Sequence, residues 1–145
     1  MDKYEALKLE NQICFPLYAC SREITRRYTP LLKPLGLTYT QYIVMIVMWE
    51  DRDSTVGELS KKLYLDSGTL TPVLKKLEKA GLVTRCRSEK DERIVCVSVT
   101  EKGMALREKA VDIPAKMGEC IALPKDDLDA FYNILYRILE HSGKE

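Results

Sequence analysis

The sequence has few of the residues that hold metals and no long apolar run of the kind that spans a membrane. It has one histidine, His141, and its five cysteines (Cys14, Cys20, Cys86, Cys96 and Cys120) include no C-x-x-C pair. An odd number of thiols at scattered spacings suits neither a disulfide framework nor a zinc site, so neither a metal nor a cofactor is expected. No basic segment followed by an apolar one opens the chain, and the longest apolar run, Tyr42 to Trp49, is eight residues. That is far short of a membrane span, so the expectation is a soluble, cytoplasmic protein with no membrane partner. Internal repeats, low-complexity tracts and Gly/Ser linkers are also missing. The 145 residues therefore read as a single domain, 1–145, long enough to bury a core without staples.

A large net charge is absent too, the formal value being +1, but charge is unevenly placed. Residues 1–60 carry 7 basic and 8 acidic side chains, residues 61–93 carry 9 and 5, and residues 100–145 carry 7 and 9. A basic block between acidic flanks suits a groove-binding element, because affinity for duplex DNA comes largely from Lys and Arg displacing counterions at phosphates. Solvated helix faces produce such imbalances as well, so charge alone does not decide the matter.

Apolar periodicity predicts helices over residues 4–28 and after Thr38 through the core stretch Tyr42 to Trp49. Pro30, Pro34 and Gly36 mark a break between them, and Asp51, Arg52, Asp53 and Ser54 form a polar turn. Val56, Leu59, Leu63 and Leu65 line a short helix. A turn containing Asp66, Ser67 and Gly68 leads into a second helix with Leu70, Val73, Leu74 and Leu77 inward, closed by Gly81. Pattern alone would let that helix start at Thr71 with Pro72 as its first residue; the start near Asp66 is preferred. Residues 82–87 and 94–100 alternate and flank a charged tip, Ser88 to Arg93, which makes a two-stranded hairpin. Thr100 opens another long helix, and residues 125–140 form a last one with more apolar surface than a small core needs. The fold class is mainly α with a small β-hairpin: a winged helix-turn-helix core, 38–100, between dimerisation helices at about 1–30 and 101–145.

In a helix-turn-helix the N-terminal residues of the second helix reach base edges while its flanks and the wing hold phosphates. Those positions are Asp66, Ser67, Thr69 and Thr71. Lys75 and Lys76 lie further along, and Arg87, Lys90 and Arg93 flank the wing tip. Ser and Thr donate and accept, and a Thr methyl can rest on a thymine methyl. The plainer alternative is that the hydroxyls only cap a helix.

The stretches Leu65-Asp66-Ser67-Gly68-Thr69-Leu70-Thr71-Pro72, Leu74-Lys75-Lys76-Leu77-Glu78 and Glu89-Lys90-Asp91-Glu92-Arg93 resemble the MarR family of winged-helix regulators. Leu9-Glu10-Asn11-Gln12-Ile13-Cys14-Phe15, Ser21-Arg22-Glu23, Tyr28 and Thr38-Tyr39 extend the likeness, over roughly residues 8–113, to its organic-hydroperoxide-resistance repressors. The resemblance implies no enzyme but a homodimer that binds an inverted-repeat operator in double-stranded DNA and releases it when Cys14 is oxidised by organic hydroperoxide. It also implies that two tyrosine hydroxyls, here Tyr28 and Tyr39, reach the sulfur. Tyr28 lies about 21 Å beyond Cys14 along a continuous helix, so it cannot serve its own Cys14 by that route. Reactivity needs thiolate, which a helix N-terminus favours, and Pro16 suggests a helix start or kink just after Cys14. In some relatives a C-terminal cysteine of the other subunit resolves the sulfenic acid, and in others a small-molecule thiol does. Cys120 is the candidate for the first route, and both routes stay open. Two other readings compete: a MarR-type repressor controlled by a small aromatic ligand, with Cys14 incidental, and a one-cysteine peroxidase, which lacks the P-x-x-x-T-x-x-C frame.

Overall fold

The structure is a computed structural model that describes residues 2–142. It falls into two compact units, Met1–Ile113 and Pro114–Glu145. The outermost residues of the expected dimerisation segments, 1 and 143–145, lie outside the described residues. The helix expected over 4–28 is instead two single 3-10 turns, Glu5–Leu7 and Leu9–Asn11, followed by α1, Cys14–Leu32. Two causes set this boundary. Pro16 has no N–H to give a helix running in from residue 12, so it is tolerated only in a first turn. Upstream, the amides of Asn11 and Gln12 donate to the carbonyls of Glu5 and Ala6 and hold the chain in a tighter path.

Pro30 does not end α1, contrary to the expectation. The helix carries it and continues through Leu32 into a 3-10 turn, Lys33–Leu35, and stops at Gly36, whose φ of 70° is left-handed. Burial of Leu32 and Leu35 outweighs the one backbone bond that Pro30 removes. Helix α2, Tyr39–Asp51, begins with a capping box, in which Thr38 accepts from the Gln41 N–H and the Gln41 side chain accepts from the Thr38 N–H. Val44, Met45 and Met48 of α2 are fully buried and form the centre of the core with Leu59, Leu70 and Leu74.

The expected polar turn at 51–54 contains a strand instead. β1, Asp53–Thr55, pairs antiparallel with β3, Val95–Val99, which also pairs with β2, Val83–Arg87, so the sheet is three-stranded in the order β1-β3-β2. Between them run α3, Val56–Leu63, capped by Thr55, and α4, Ser67–Lys79, capped by Asp66. Gly81, at φ 78°, turns the chain from α4 into β2. After β3, Thr100 caps α5, Glu101–Ala110. The long helix expected there breaks at Val111 and Asp112 because Pro114 has no N–H for the Ala110 carbonyl. A separate helix, α6, Ile113–Ile121, follows, and α7 covers Lys125–Ser142. No single helix among the described residues is long and apolar enough to cross a membrane.

Candidate functional site

Helix α4 starts at Ser67, the earlier of the two starts open to the sequence, because the Asp66 carboxylate accepts the Thr69 N–H at 2.7 Å. That bond, with the carboxylate taking N–H donors at a helix N-terminus, holds the Asp66 carboxyl below its ordinary pKa. Asp66 therefore works as a helix cap. Leu70, Leu74 and Leu77 are buried, which turns the opposite face of α4 to solvent. Ser67, Thr71 and Lys75, spaced four residues apart, occupy one side of that face. The Thr71 hydroxyl donates to the Ser67 carbonyl at 2.7 Å.

Across from this row stands the wing. An open cleft of about 1030 Å³ lies between α4, the start of α3 and the inner strand faces. It brings Ser67, Thr71, Lys75, Arg87 and Arg93 together and adds two cations that sequence reasoning missed, Lys61 and Arg85. Lys61 is in α3, outside the motif positions. Arg85 occupies a strand position facing inward, where alternation suggests an apolar side chain. Glu78 holds it: its carboxylate accepts the Arg85 backbone N–H and guanidinium, both at 3.1 Å. Thr69, Lys76 and Lys90 are exposed but do not line the cleft.

The wing tip is braced from within. Arg87 donates to the Glu92 carbonyl at 2.7 Å. The Asp91 carboxylate accepts from the Arg93 backbone N–H and from its guanidinium at 3.0–3.2 Å, while the Arg93 side chain stays 91% exposed. Arg93 beside it holds the Asp91 carboxyl below its usual range. An exposed guanidinium aimed by a neighbouring carboxylate is a suitable probe for a phosphate or a narrow minor groove.

The candidate thiol lies elsewhere. Cys14 is exposed and is the first residue of α1, with no side chain capping that end of the helix. Leu9, Phe15 and Pro16 form the apolar wall of an open cleft beside it. Tyr28 and Tyr39 are brought together, with ring centroids 4.8 Å apart, and Tyr42 joins them at 5.7 Å from Tyr28. Burial, and then the neighbouring phenols, push the Tyr28 pKa up to about 12, and burial raises that of Tyr39. Both hydroxyls thus remain protonated donors across the ordinary pH range. Cys14 is the first residue of α1 and Tyr28 lies in the same helix about 21 Å further along, so a single chain does not bring the thiol to this phenol. Cys120 is exposed in the last turn of α6.

Residues 26–110 match the family described as Transcriptional regulator SarA/Rot. The chain is 51% identical over 142 residues to the organic hydroperoxide resistance transcriptional regulator of Bacillus subtilis, covering 96% of this chain and 95% of that protein. The chain belongs to the MarR family of winged-helix transcriptional regulators, in its organic-hydroperoxide-resistance group. AbfR of Staphylococcus epidermidis, solved in its reduced form bound to DNA, is 34% identical with a TM-score of 0.80, covering 97% of this chain and 98% of that one. The same protein was solved overoxidized on DNA, at 35% identity and TM-score 0.78 over 97% of this chain and 98% of that one. AbsC, a MarR family transcriptional regulator from Streptomyces coelicolor, shares the fold at 22% identity, with a TM-score of 0.80 over 95% of this chain and 97% of that one.

Proposed function

We propose that this MarR-family regulator is a repressor that binds an inverted-repeat operator as a homodimer and releases it when organic hydroperoxide oxidises Cys14. The observation that carries the DNA half is the cleft in which the Ser67, Thr71 and Lys75 row of α4 faces Arg87 and Arg93 of the wing. A helix presenting small polar groups to a major groove, with cations on both flanks for phosphates, is how winged helices divide reading from holding.

Dimerisation is supported by apolar surface that a single chain leaves in water. Phe15, Leu17 and Tyr18 on α1 are 43–59% exposed, and Phe131, Tyr132, Ile134, Tyr136 and Ile138 on α7 are 40–61% exposed. Stripes of this size ask for a second copy. A second copy also resolves the separation within α1, because an antiparallel partner helix can carry Tyr28 and Tyr39 to the opposite Cys14. Neutral phenols there would donate to the sulfur and favour its thiolate. The thiolate attacks one peroxide oxygen. The O–O bond breaks, sulfur becomes a sulfenic acid, and the other oxygen leaves as the alcohol after taking a proton. A second thiol, Cys120 of the other subunit or a small molecule, then displaces water and forms a disulfide. That AbfR was solved on DNA in both reduced and overoxidized forms supports a redox-sensing role for this regulator.

The test is DNA binding by reduced protein, hydroperoxide-treated protein and the Cys14→Ser variant, using fragments of the source genome against random duplex. The expected result is a preference for particular fragments, lost on oxidation and retained by Cys14→Ser under the same treatment. Normal peroxide sensitivity in Cys14→Ser overturns the assignment of the sensor. Non-reducing electrophoresis separates the two resolving routes, since an intersubunit bridge gives a covalent dimer that Cys120→Ser abolishes.

A further inference from the structure

Of the three cysteines that the redox reading leaves unused, Cys20, Cys86 and Cys96, two face each other. In the β2–β3 pair, Cys86 is directly opposite Cys96. Both project from the face opposite the buried Val83 and Val97, Cys86 exposed and Cys96 half-buried. On the other side of Cys96 the next strand offers Thr55, whose hydroxyl is engaged in capping α3. The type of pair follows from its neighbours. The Ser88 N–H donates to the Ile94 carbonyl at one end of the ladder and the Thr100 N–H to the Leu82 carbonyl at the other. Pair types alternate along an antiparallel ladder, so counting from either end makes Cys86 and Cys96 a hydrogen-bonded pair.

That class sets the spacing. Hydrogen-bonded partners hold their Cα atoms about 5.5 Å apart and their Cβ atoms toward the wide end of roughly 4.5–5.5 Å. A relaxed disulfide needs Cβ atoms about 3.5–4.5 Å apart. The two sulfurs are therefore too widely based for an easy S–S bond and well placed for one atom between them. Metal–sulfur bonds of about 2.3 Å let two thiolates on one centre stand up to about 4.6 Å apart. No cluster of three or more His, Cys, Asp or Glu occurs among the described residues, which leaves a tetrahedral zinc site without its remaining ligands. We propose that Cys86 and Cys96 form a two-thiol site on the outer face of the wing for a thiophilic centre satisfied by two sulfurs, a soft monovalent or divalent cation or a trivalent arsenical. Binding involves no redox change. A cation replaces two thiol protons, which go to solvent, and an arsenic oxide loses its oxygen as water with those two protons while two As–S bonds form.

Phenylarsine oxide is the probe, applied in equimolar amount to the full chain carrying Cys14→Ser, Cys20→Ser and Cys120→Ser, then challenged with a large excess of glutathione. A cyclic two-thiol adduct resists the monothiol, whereas an adduct on one cysteine is stripped. The expected intact mass shows one phenylarsenic group in place of two hydrogens, surviving glutathione, and lost when either Cys86→Ser or Cys96→Ser is added. One equivalent of silver or mercuric ion should block the arsenical, which shows that the cation arm uses the same sulfurs. Three results overturn the proposal: an adduct stripped by glutathione, an adduct that survives in either added variant, or rapid formation of a Cys86–Cys96 disulfide by one equivalent of hydroperoxide, which would mean the sulfurs stand closer than their pair type allows. Both added substitutions are small, one at an exposed and one at a half-buried position, and matched thermal melts identify any variant whose loss of adduct reflects unfolding.

Discussion

Among the described glycines Gly103 has the least room for a side chain, and Gly103→Ala shows how much stability rests there. A Cβ at 103 would stand 2.2 Å from the Leu82 carbonyl oxygen and 2.8 Å from a Val99 methyl. Ordinary carbon–oxygen contacts begin near about 3.3 Å, so α5 would have to move away from the sheet by roughly 1 Å. Two hydrogen bonds stand in the way of that movement. The Gly103 N–H donates to Thr100 Oγ1 at 3.0 Å, and the buried Trp49 indole donates to the Gly103 carbonyl at 2.8 Å. Overpacking costs about 1–3 kcal/mol and each weakened bond about 1 kcal/mol, giving a loss of about 3–5 kcal/mol. For a chain of this length that is a fall in Tm of roughly 6–20 °C, read by circular dichroism at fixed protein concentration. Gly118→Ala is the control: its Cβ meets nothing within 4 Å, and replacing a helical glycine should raise stability by about 0.5–1 kcal/mol. A Gly103→Ala melt within about 2 °C of wild type would refute the close-approach argument.

Asp66→Ala removes the cap of α4 and should lower Tm by roughly 2–4 °C at neutral pH. Because the native carboxyl is held below its ordinary pKa, its contribution is present above about pH 4 and fades as pH falls through the lowered value, so Asp66→Asn should keep the cap and lose this acid sensitivity in pH-dependent melts. Tyr28 works in the opposite direction. With its pKa raised to about 12, it favours the fold below about pH 10 and loses that contribution between about pH 10 and 12, so Tyr28→Phe should flatten the alkaline fall in stability and remove the latest phenol from a 295 nm titration. Arg93→Ala should weaken binding to specific and random DNA alike and reduce the salt slope by about one, whereas Thr69→Ala should alter which bases are preferred; fluorescence anisotropy over a salt series distinguishes the two.

The parts legible in the sequence were those governed by local chemistry. Thr38 and Thr100 open helices, Gly36 and Gly81 are stops, and the alternation of residues 82–100 is a hairpin, whereas Asp66, read as a base-contacting residue, is the cap of α4. What sequence reading missed depended on partners distant in the chain. β1 is three polar residues with no pattern of its own, made into a strand by pairing with Ser98, Val97 and Cys96. Pro30 reads as a break, yet the burial of Leu32 and Leu35 two and five residues later carries the helix past it. At the candidate DNA-binding cleft the motif residues of α4 and the wing were visible, but Lys61 and Arg85 were not, since nothing local shows that α3 and a strand's inward face turn toward the same space. The facing of Cys86 and Cys96 was equally hidden, because register depends on where the hairpin turns.

The candidate sensing residues and the wing belong to one packed sequence of contacts. Tyr28 and Tyr39 pack on each other and on Tyr42, whose ring lies 6.3 Å from that of Trp49. The Trp49 indole holds the Gly103 carbonyl, the Gly103 N–H holds Thr100, and the Thr100 hydroxyl donates to the Gly81 carbonyl at 2.6 Å, in the turn that joins α4 to β2. Every step is a close-packed ring contact or a hydrogen bond, and the Trp49 bond is buried. Such contacts resist gradual deformation, so a change at the phenols is either absorbed locally or transmitted as a shift between two packings. The structure narrows where coupling could break. Trp49→Phe deletes the indole donor while keeping a ring beside Tyr42, and so separates the aromatic cluster from the α4–wing junction at a single hydrogen bond.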